Sequence, residues 1–278
     1  MNGRPEFLVS ETEVNRIIDV LLKVHCIDFT GYSRASFTRR IQRIVDRDAS
    51  GNFGALLERL SVNSNYANLF INEVMVNVTE MFRDPTFFQA LRVDVLPQLK
   101  NLDHITIWHA GCSTGEEVFS MAILLHEMGL LKKTRIVATD LNSDALQKAS
   151  KGVLPSKMIA EYEANYLSAG GLGLLSDYYA ADFNSITVNE FLRSNIQFKQ
   201  HNLVSDGFFG AFDLIICRNV LIYFQKPLQS SVVNLFTRSL NKNGYLCLGT
   251  KESLLFAEDR FAFDEVHKRE KIFRKKGS

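Results

Sequence analysis

The residues best placed to do chemistry lie in one stretch, "WHAGCSTGEEVFSMA" (Trp108–Ala122). It reads as a short apolar run, a turn bounded by Gly111 and Gly115, and a helix opening with Glu116 and Glu117. Glycine at such a turn permits a sharp reversal and lets a ligand approach the backbone with no Cβ in the way. Further on, 25 residues past Gly115 (140 − 115), the strand-like "RIVATD" ends in Asp140. From that position an acidic side chain hydrogen-bonds ribose hydroxyls in nucleotide-binding α/β folds. A pyrophosphate wants bare helix N-terminal amides, and Glu116 and Glu117 would repel it. A nucleoside with a positive charge and no phosphate would be drawn in, and S-adenosylmethionine has that chemistry. The plain alternative is structural: Ser113 with Glu116 spells a capping box, and acidic residues favour any helix start.

These residues need a scaffold, and the chain supplies alternating elements. From about Ile105, "HITIWHA", "RIVATD", "IQFKQHNL", "FDLIICRN" and "GYLCLGT" read as strands. Helix patterns fall between most of them, including "NSDALQKASKG" closing at Gly152 and a stretch from about Pro227 to Leu240. That grammar predicts a parallel sheet with helices on both faces. The closing "FAFDEVHKREKIFRK" supplies one or two antiparallel edge strands. Residues from about 153 to 195, with Gly170, Gly171, Gly173 and several tyrosines, break the alternation and read as an inserted subdomain. The first 75 residues or so hold no strand-like run. Val14, Ile17, Ile18, Leu21 and Leu22 follow helical spacing, and three more helix candidates follow, making a small bundle.

Composition sets bounds. With 46% hydrophobic and 23% charged residues this is an ordinary globular chain, and a net charge of +1 implies no global attraction to nucleic acid or membrane. No apolar run reaches the roughly 20 residues that span a bilayer. The first residues lack the basic-then-apolar layout of a signal peptide, so a cytoplasmic location is expected. Cys26, Cys112, Cys217 and Cys247 are too scattered for a zinc cluster or a disulfide framework, and the six histidines form no close pair, so no metal is expected.

Several stretches together resemble a known family. "NVTEMFRD" (Asn77–Asp84), "WHAGCSTGEEVFSMA", "VATDLN" (Val137–Asn142), "HNL" (His201–Leu203) and "FDLIICRNVLIYF" (Phe212–Phe224) resemble the CheR-type chemotaxis receptor methyltransferases, in the family's order and across almost the whole chain. The resemblance implies a Rossmann-like S-adenosylmethionine-dependent methyltransferase domain with a small N-terminal all-helical domain and an inserted small subdomain. On that pattern residues 1–76 are the receptor-docking helical domain, 77–104 a linker contributing to the cofactor site, and 105–278 the methyltransferase domain. The implied reaction is methyl transfer to glutamate side chains on the helical cytoplasmic stalk of chemoreceptors, releasing S-adenosylhomocysteine. Carried over by motif, Asn77, Thr79 and Arg83 would contact the cofactor, Glu116 its methionine part and Asp140 its ribose. Asn202 with Leu203, and Arg218 with Asn219, would border the adenine and the methyl-donor end. Tyr223 would lie near the transferred methyl, sharing the catalytic work with Arg83.

A receptor stalk also needs a docking surface. In "SRASFTRRIQRIVDRD", Arg39, Arg43 and Arg47 recur every four residues with Arg40 beside them, while Phe37, Ile41 and Ile44 fall opposite. A basic stripe over an apolar footing suits an acidic helical partner, and its bland counterpart is a solvated basic face. A monomer is expected. The competing readings are a CheR-like module that binds the cofactor without turnover, and a methyltransferase acting on a different protein. The inserted segment is richer in tyrosine and less basic than the family pattern, which puts a receptor tether on it in doubt.

Overall fold

The computed structural model describes residues 8–47, 53–75 and 79–277. Contacts divide the chain into Met1–Val76 with Ile222–Leu228, and Asn77–Leu221 with Gln229–Ser278.

In the first unit, helix α1 (Glu11–His25) starts at a reciprocal capping box, Ser10 with Glu13, and ends where Cys26 turns left-handed at φ 57°. It buries Val14, Ile17, Ile18 and Leu21. Helix α2 (Arg34–Arg47) turns Phe37, Ile41, Ile44 and Val45 inward. Helices α3 (Phe53–Val62) and α4 (Ser64–Val74, capped by Asn63) complete one core around Phe29 and Phe70. The segment 222–228 belongs to this core. Ser33 N–H donates to the Tyr223 carbonyl at 2.7 Å, Gln225 N–H to Gly31 at 2.8 Å, and the Tyr32 and Phe224 rings meet edge-on at 4.9 Å.

The second unit opens with two short helices, α5 (Pro85–Ala90) and α6 (Leu96–Leu99), joined through a π-turn. Strand β1 (Ile105–Ala110), helix α7 (Glu116–Glu127), β2 (Thr134–Asp140) and α8 (Ser143–Lys151) follow. Next come β3 (Val153–Pro155), α9 (Ile159–Ser168), β4 (Tyr179–Ala181), β5 (Ser185–Val188) and α10 (Glu190–Arg193). The chain then runs through β6 (Ile196–Gln200), β7 (Phe212–Cys217), α11 (Lys226–Ser239), β8 (Leu240–Leu248), β9 (Phe263–His267) and β10 (Ile272–Lys275). The main sheet has the order β6-β2-β1-β7-β8-β10-β9. The first five of these strands are mutually parallel, while β10 is antiparallel to both its neighbours.

Strand order reverses at β1, between β2 and β7. That places the carboxyl ends of these strands at a crevice where α/β folds bind ligands. The residues between α8 and β6 build a separate antiparallel sheet, β3-β5-β4, flanked by α9. β1 and α7 are buried almost throughout, so the turn between them is fixed from both sides.

Candidate functional site

The β1–α7 turn is set by backbone geometry. Gly111 sits at φ +82°, where a Cβ would come within 2.4 Å of Val220 Cγ2, and Gly115 at φ +95° presses on the Phe119 ring. Neither place accepts a side chain without strain. The capping box that Ser113 and Glu116 spell, the structural alternative to a ligand site, does not form. Gly115, not Ser113, occupies the cap position of α7, and no side chain caps it. Ser113 itself is left-handed (φ 51°), and its hydroxyl is buried with no partner among the described residues. Its N–H is taken by Asp140 Oδ2 at 2.8 Å, while Asp140 Oδ1 accepts from Asn142 N–H at 2.9 Å. The carboxylate at the end of β2 thus pins the turn to its own strand. Each oxygen keeps a lone pair for a ligand hydroxyl. Burial raises the pKa of Asp140, against those backbone bonds.

The paired glutamates part company. Glu117 is neutralised: Arg218 Nη1 lies 2.8 Å from Oε2 and His109 Nδ1 lies 3.3 Å from Oε1. Burial pushes its pKa up, and these two partners outweigh that and hold it below the usual range. Glu116 forms no ion pair among the described residues. Thr114 Oγ1 donates to it at 2.6 Å, and the Tyr162 side chain lies close by. Burial raises its pKa. The two adjacent acids therefore differ in kind: one is an ion-pair member, and the other is a buried carboxylate with no ion pair among the described residues.

Arg218 also organises the preceding loop. Its Nη2 is 2.6 Å from Asp84 Oδ2, its Nη1 reaches the Arg83 carbonyl at 3.4 Å, and its guanidinium stacks 4.0 Å above the Phe87 ring. Phe82 and Asp84 are both left-handed (φ 52° and 55°), a costly state for such side chains. Phe82 N–H is held by Ser120 Oγ at 2.8 Å, and that hydroxyl in turn donates to the Glu116 carbonyl. Arg83 is half-buried between these anchors, and Asp84 pairs with Arg218. Thr79 is half-buried beside the loop, and Asn77 lies outside the described residues.

At the end of β6, His201 N–H bonds to the Asp140 carbonyl, which brings Asn202 to the same crevice. Asn202 Oδ1 caps its own turn through Val204 N–H, and Leu203 is partly exposed. Asn219 is left-handed (φ 61°). Its turn hangs on a residue that the motifs did not flag. Glu252 Oε2 accepts from the N–H groups of Asn219 and Gly249, and Oε1 from Val220. The only sequence signal is an acid three residues past Gly249, which composition does not distinguish from a surface charge. In the second unit, then, Gly111, Glu116, Asp140, Asn202, Arg218 and Asn219 lie just beyond the carboxyl ends of β1, β2, β6 and β7, and Arg218 ties the Arg83 backbone to that end of the sheet. Among the described residues no cluster of His, Cys, Asp and Glu could hold a metal.

The protein-family model described as "CheR methyltransferase, SAM binding domain" matches residues 77–270. The chain belongs to the CheR methyltransferase family. Among its curated relatives is Cher3 of Pseudomonas putida, a methyltransferase by assignment, 40% identical over 96% of this chain and 97% of that one. A chemotaxis protein methyltransferase of Borreliella burgdorferi is 28% identical over 88% and 89%, and chemotaxis protein methyltransferase 1 of Vibrio cholerae 33% identical over 69% and 70%.

The cofactor of a CheR domain is S-adenosylmethionine, and the residues present fit it. Among the described residues, a buried carboxylate with no ion pair, a strand-end carboxylate with spare lone pairs, and an unpaired buried hydroxyl suit a cationic nucleoside. No basic side chain is offered to a phosphate in the β1–α7 turn.

The remaining residues lie in the helical unit. There the Arg40 guanidinium sits 4.7 Å from the centre of the Tyr223 ring and donates to the Val74 carbonyl. Burial lowers the Arg40 pKa. The four arginines are therefore not one solvated stripe. Arg40 is half-buried, and Arg47 pairs with Glu73. Arg39 and Arg43 are exposed, with no ion pair among the described residues.

Proposed function

We propose that this CheR-family methyltransferase transfers methyl groups from S-adenosylmethionine to glutamate side chains on the cytoplasmic helices of chemoreceptors, acting in the cytoplasm as a monomer. The observation that carries the reading is the Arg40–Tyr223 pair. A tyrosine ring stacked on a guanidinium, beside the helix that bears exposed Arg39 and Arg43, is a place suited to an anionic side chain. The names of the Borreliella and Vibrio relatives agree with it.

A receptor glutamate has a pKa of about 4.3 in free solution, so it arrives as an anion and needs no general base. Bound S-adenosylmethionine supplies an electrophilic methyl on a sulfonium. The chain's own work is alignment and exclusion of water. Asp140 takes the ribose hydroxyls and Glu116 the cationic amino-acid end. Gly111 lets the ligand lie against the backbone, and Asn202, Leu203, Arg218 and Asn219 border the base and the donor end. Asn77, Thr79 and Arg83 reach in from the linker of residues 77–104. Tyr223, steadied by Arg40, orients the incoming carboxylate without binding it so tightly that the ground state gains. Arg39 and Arg43, with Arg47, steer the acidic stalk onto residues 1–76.

The test is methyl transfer from radiolabelled S-adenosylmethionine to receptor-bearing membranes, scored as label on protein that mild alkali releases as methanol. Alkali-labile label is the expected result. Paired Arg39→Glu and Arg43→Glu changes should abolish most of it while leaving S-adenosylhomocysteine binding unchanged. Alkali-stable label would point to a different protein substrate. No label from a protein that binds the cofactor would favour the binding module.

A further inference from the structure

Strands β7 and β8 run parallel and end together, with Cys217 opposite Leu248. Past a pair of strand ends the backbone N–H groups lose their ladder partners, and buried ones must find others. Here three of them converge on one side chain. Glu252 Oε2 accepts from Asn219 N–H at 3.1 Å and from Gly249 N–H at 2.5 Å, and Oε1 accepts from Val220 N–H at 2.8 Å. Glu252 N–H donates back to the Gly249 carbonyl at 2.9 Å, so the turn that carries the carboxylate is closed on itself. The residue is 4% exposed, well inside the protein rather than on its surface.

The packing around that carboxylate is close. A Cβ on Gly249 would come within 2.8 Å of Glu252 Oε2, 3.0 Å of the Asn219 nitrogen and 3.4 Å of Asn219 Nδ2. On the other side, Val220 lies against Gly111 of the β1–α7 turn. The Asn219–Val220 turn is therefore gripped from two strand ends at once, by hydrogen bonds from beyond β8 and by contact from beyond β1. Asparagine tolerates the left-handed state that Asn219 adopts, so local preference allows this turn. The carboxylate decides where the turn lies.

We infer that Glu252 is a positioning residue for the methyl-donor end of the cofactor: its carboxylate sets the Asn219–Val220 turn where it can tell the methylated sulfonium from the neutral thioether left after transfer. The inference rests on the assignment of Asn219 to that end of S-adenosylmethionine. The two ligands differ by one methyl and one positive charge at sulfur, so discrimination depends on how polar groups are preset around that atom. The ribose and the amino-acid arm are common to both ligands. Those parts fall to Asp140 and Glu116, which stand on other elements.

Glu252→Gln keeps the shape of the side chain but swaps one acceptor oxygen for a donor nitrogen, so at least one of the three N–H groups loses its partner. With the full chain, calorimetry on this variant should show S-adenosylmethionine weakened by about tenfold, the worth of a hydrogen bond to a charged group. S-adenosylhomocysteine should stay within about threefold of its native affinity, because its shared contacts lie elsewhere. Equal loss of both ligands would overturn the inference, since a damaged fold does not discriminate between them, and so would loss of neither. Glu252→Asp keeps both acceptor oxygens on a shorter arm and should recover part of the discrimination. Hydrogen exchange at Asn219, Val220 and Gly249 should accelerate in Glu252→Gln. Unchanged exchange there would show that something else holds the turn, and the inference would fall. Asn219→Ala is the companion variant. If it narrows the gap between the two ligands while Glu252→Gln does not, the inference about Glu252 fails alone. If neither variant changes that gap, the assignment of Asn219 to the donor end fails and takes the inference with it.

Discussion

Glu116 carries opposite consequences for binding and for stability. Its pKa is raised chiefly by burial, so in the folded chain it holds its proton to higher pH than in the unfolded chain. A group of this kind contributes stability that is complete below the unfolded value of about 4.3 and is lost as pH rises through the folded value. At neutral pH the empty site therefore carries a penalty, and Glu116→Gln should raise the melting temperature at pH 7 with no gain near pH 4. Cofactor affinity should move the other way, falling in the variant at pH 7. In the native chain it should fall as acid protonates Glu116, beginning above the ordinary carboxylate range. Calorimetric scans at the two pH values, with and without S-adenosylhomocysteine, check both signs. The glycines, the acids and Asp140 stood out in the sequence because strand-turn-helix grammar gives each a place. What the sequence concealed was the division of labour between Glu116 and Glu117. It depends on Arg218, which is 101 residues from Glu117 in the chain, and on His109, whose neighbourhood only the fold defines.

Elements were legible where a single rule decided them. Asn142 caps α8 and left-handed Gly152 ends it, and β1 and β2 show the short β-branched runs of mostly buried parallel strands. The loop before α5 was not legible. A phenylalanine with positive φ obeys no local preference, and the left-handed pair Phe82 and Asp84 is held from other elements by Ser120 and Arg218. That makes Arg218 the keystone of the loop. Arg218→Ala would leave the carboxylates of Glu117 and Asp84 without their guanidinium, a loss of about 3–5 kcal/mol for a broken buried pair. The denaturant midpoint should drop accordingly. Arg218→Lys should recover little, since one ammonium cannot span two carboxylates and a carbonyl in a fixed fork. Proteolysis in residues 79–84 should accelerate in both variants.

At the scale of the molecule, sequence patterning separated a helical part from an α/β part, because the period of the apolar residues changes between them. It had no means of assigning residues 222–228. That segment follows a strand of the second unit in sequence but packs against Gly31, Tyr32 and Ser33. The consequence is that Tyr223 is held by one unit and Asn219, four residues earlier, by the other. The sheet order has a consequence in time. Strand β10, the last strand in the sequence, lies inside the sheet and pairs with β8 on one side and β9 on the other. A ribosome that has not yet delivered Ile272 leaves the β8 backbone at Tyr245, Leu246 and Cys247 open, beside side chains that end up buried. The second unit can thus close only after nearly all of it has been synthesised, and until then it exposes an apolar edge to aggregation. Nascent chains stalled just before Ile272 should be captured by chaperones and cut readily by protease, while those released with β10 complete should resist.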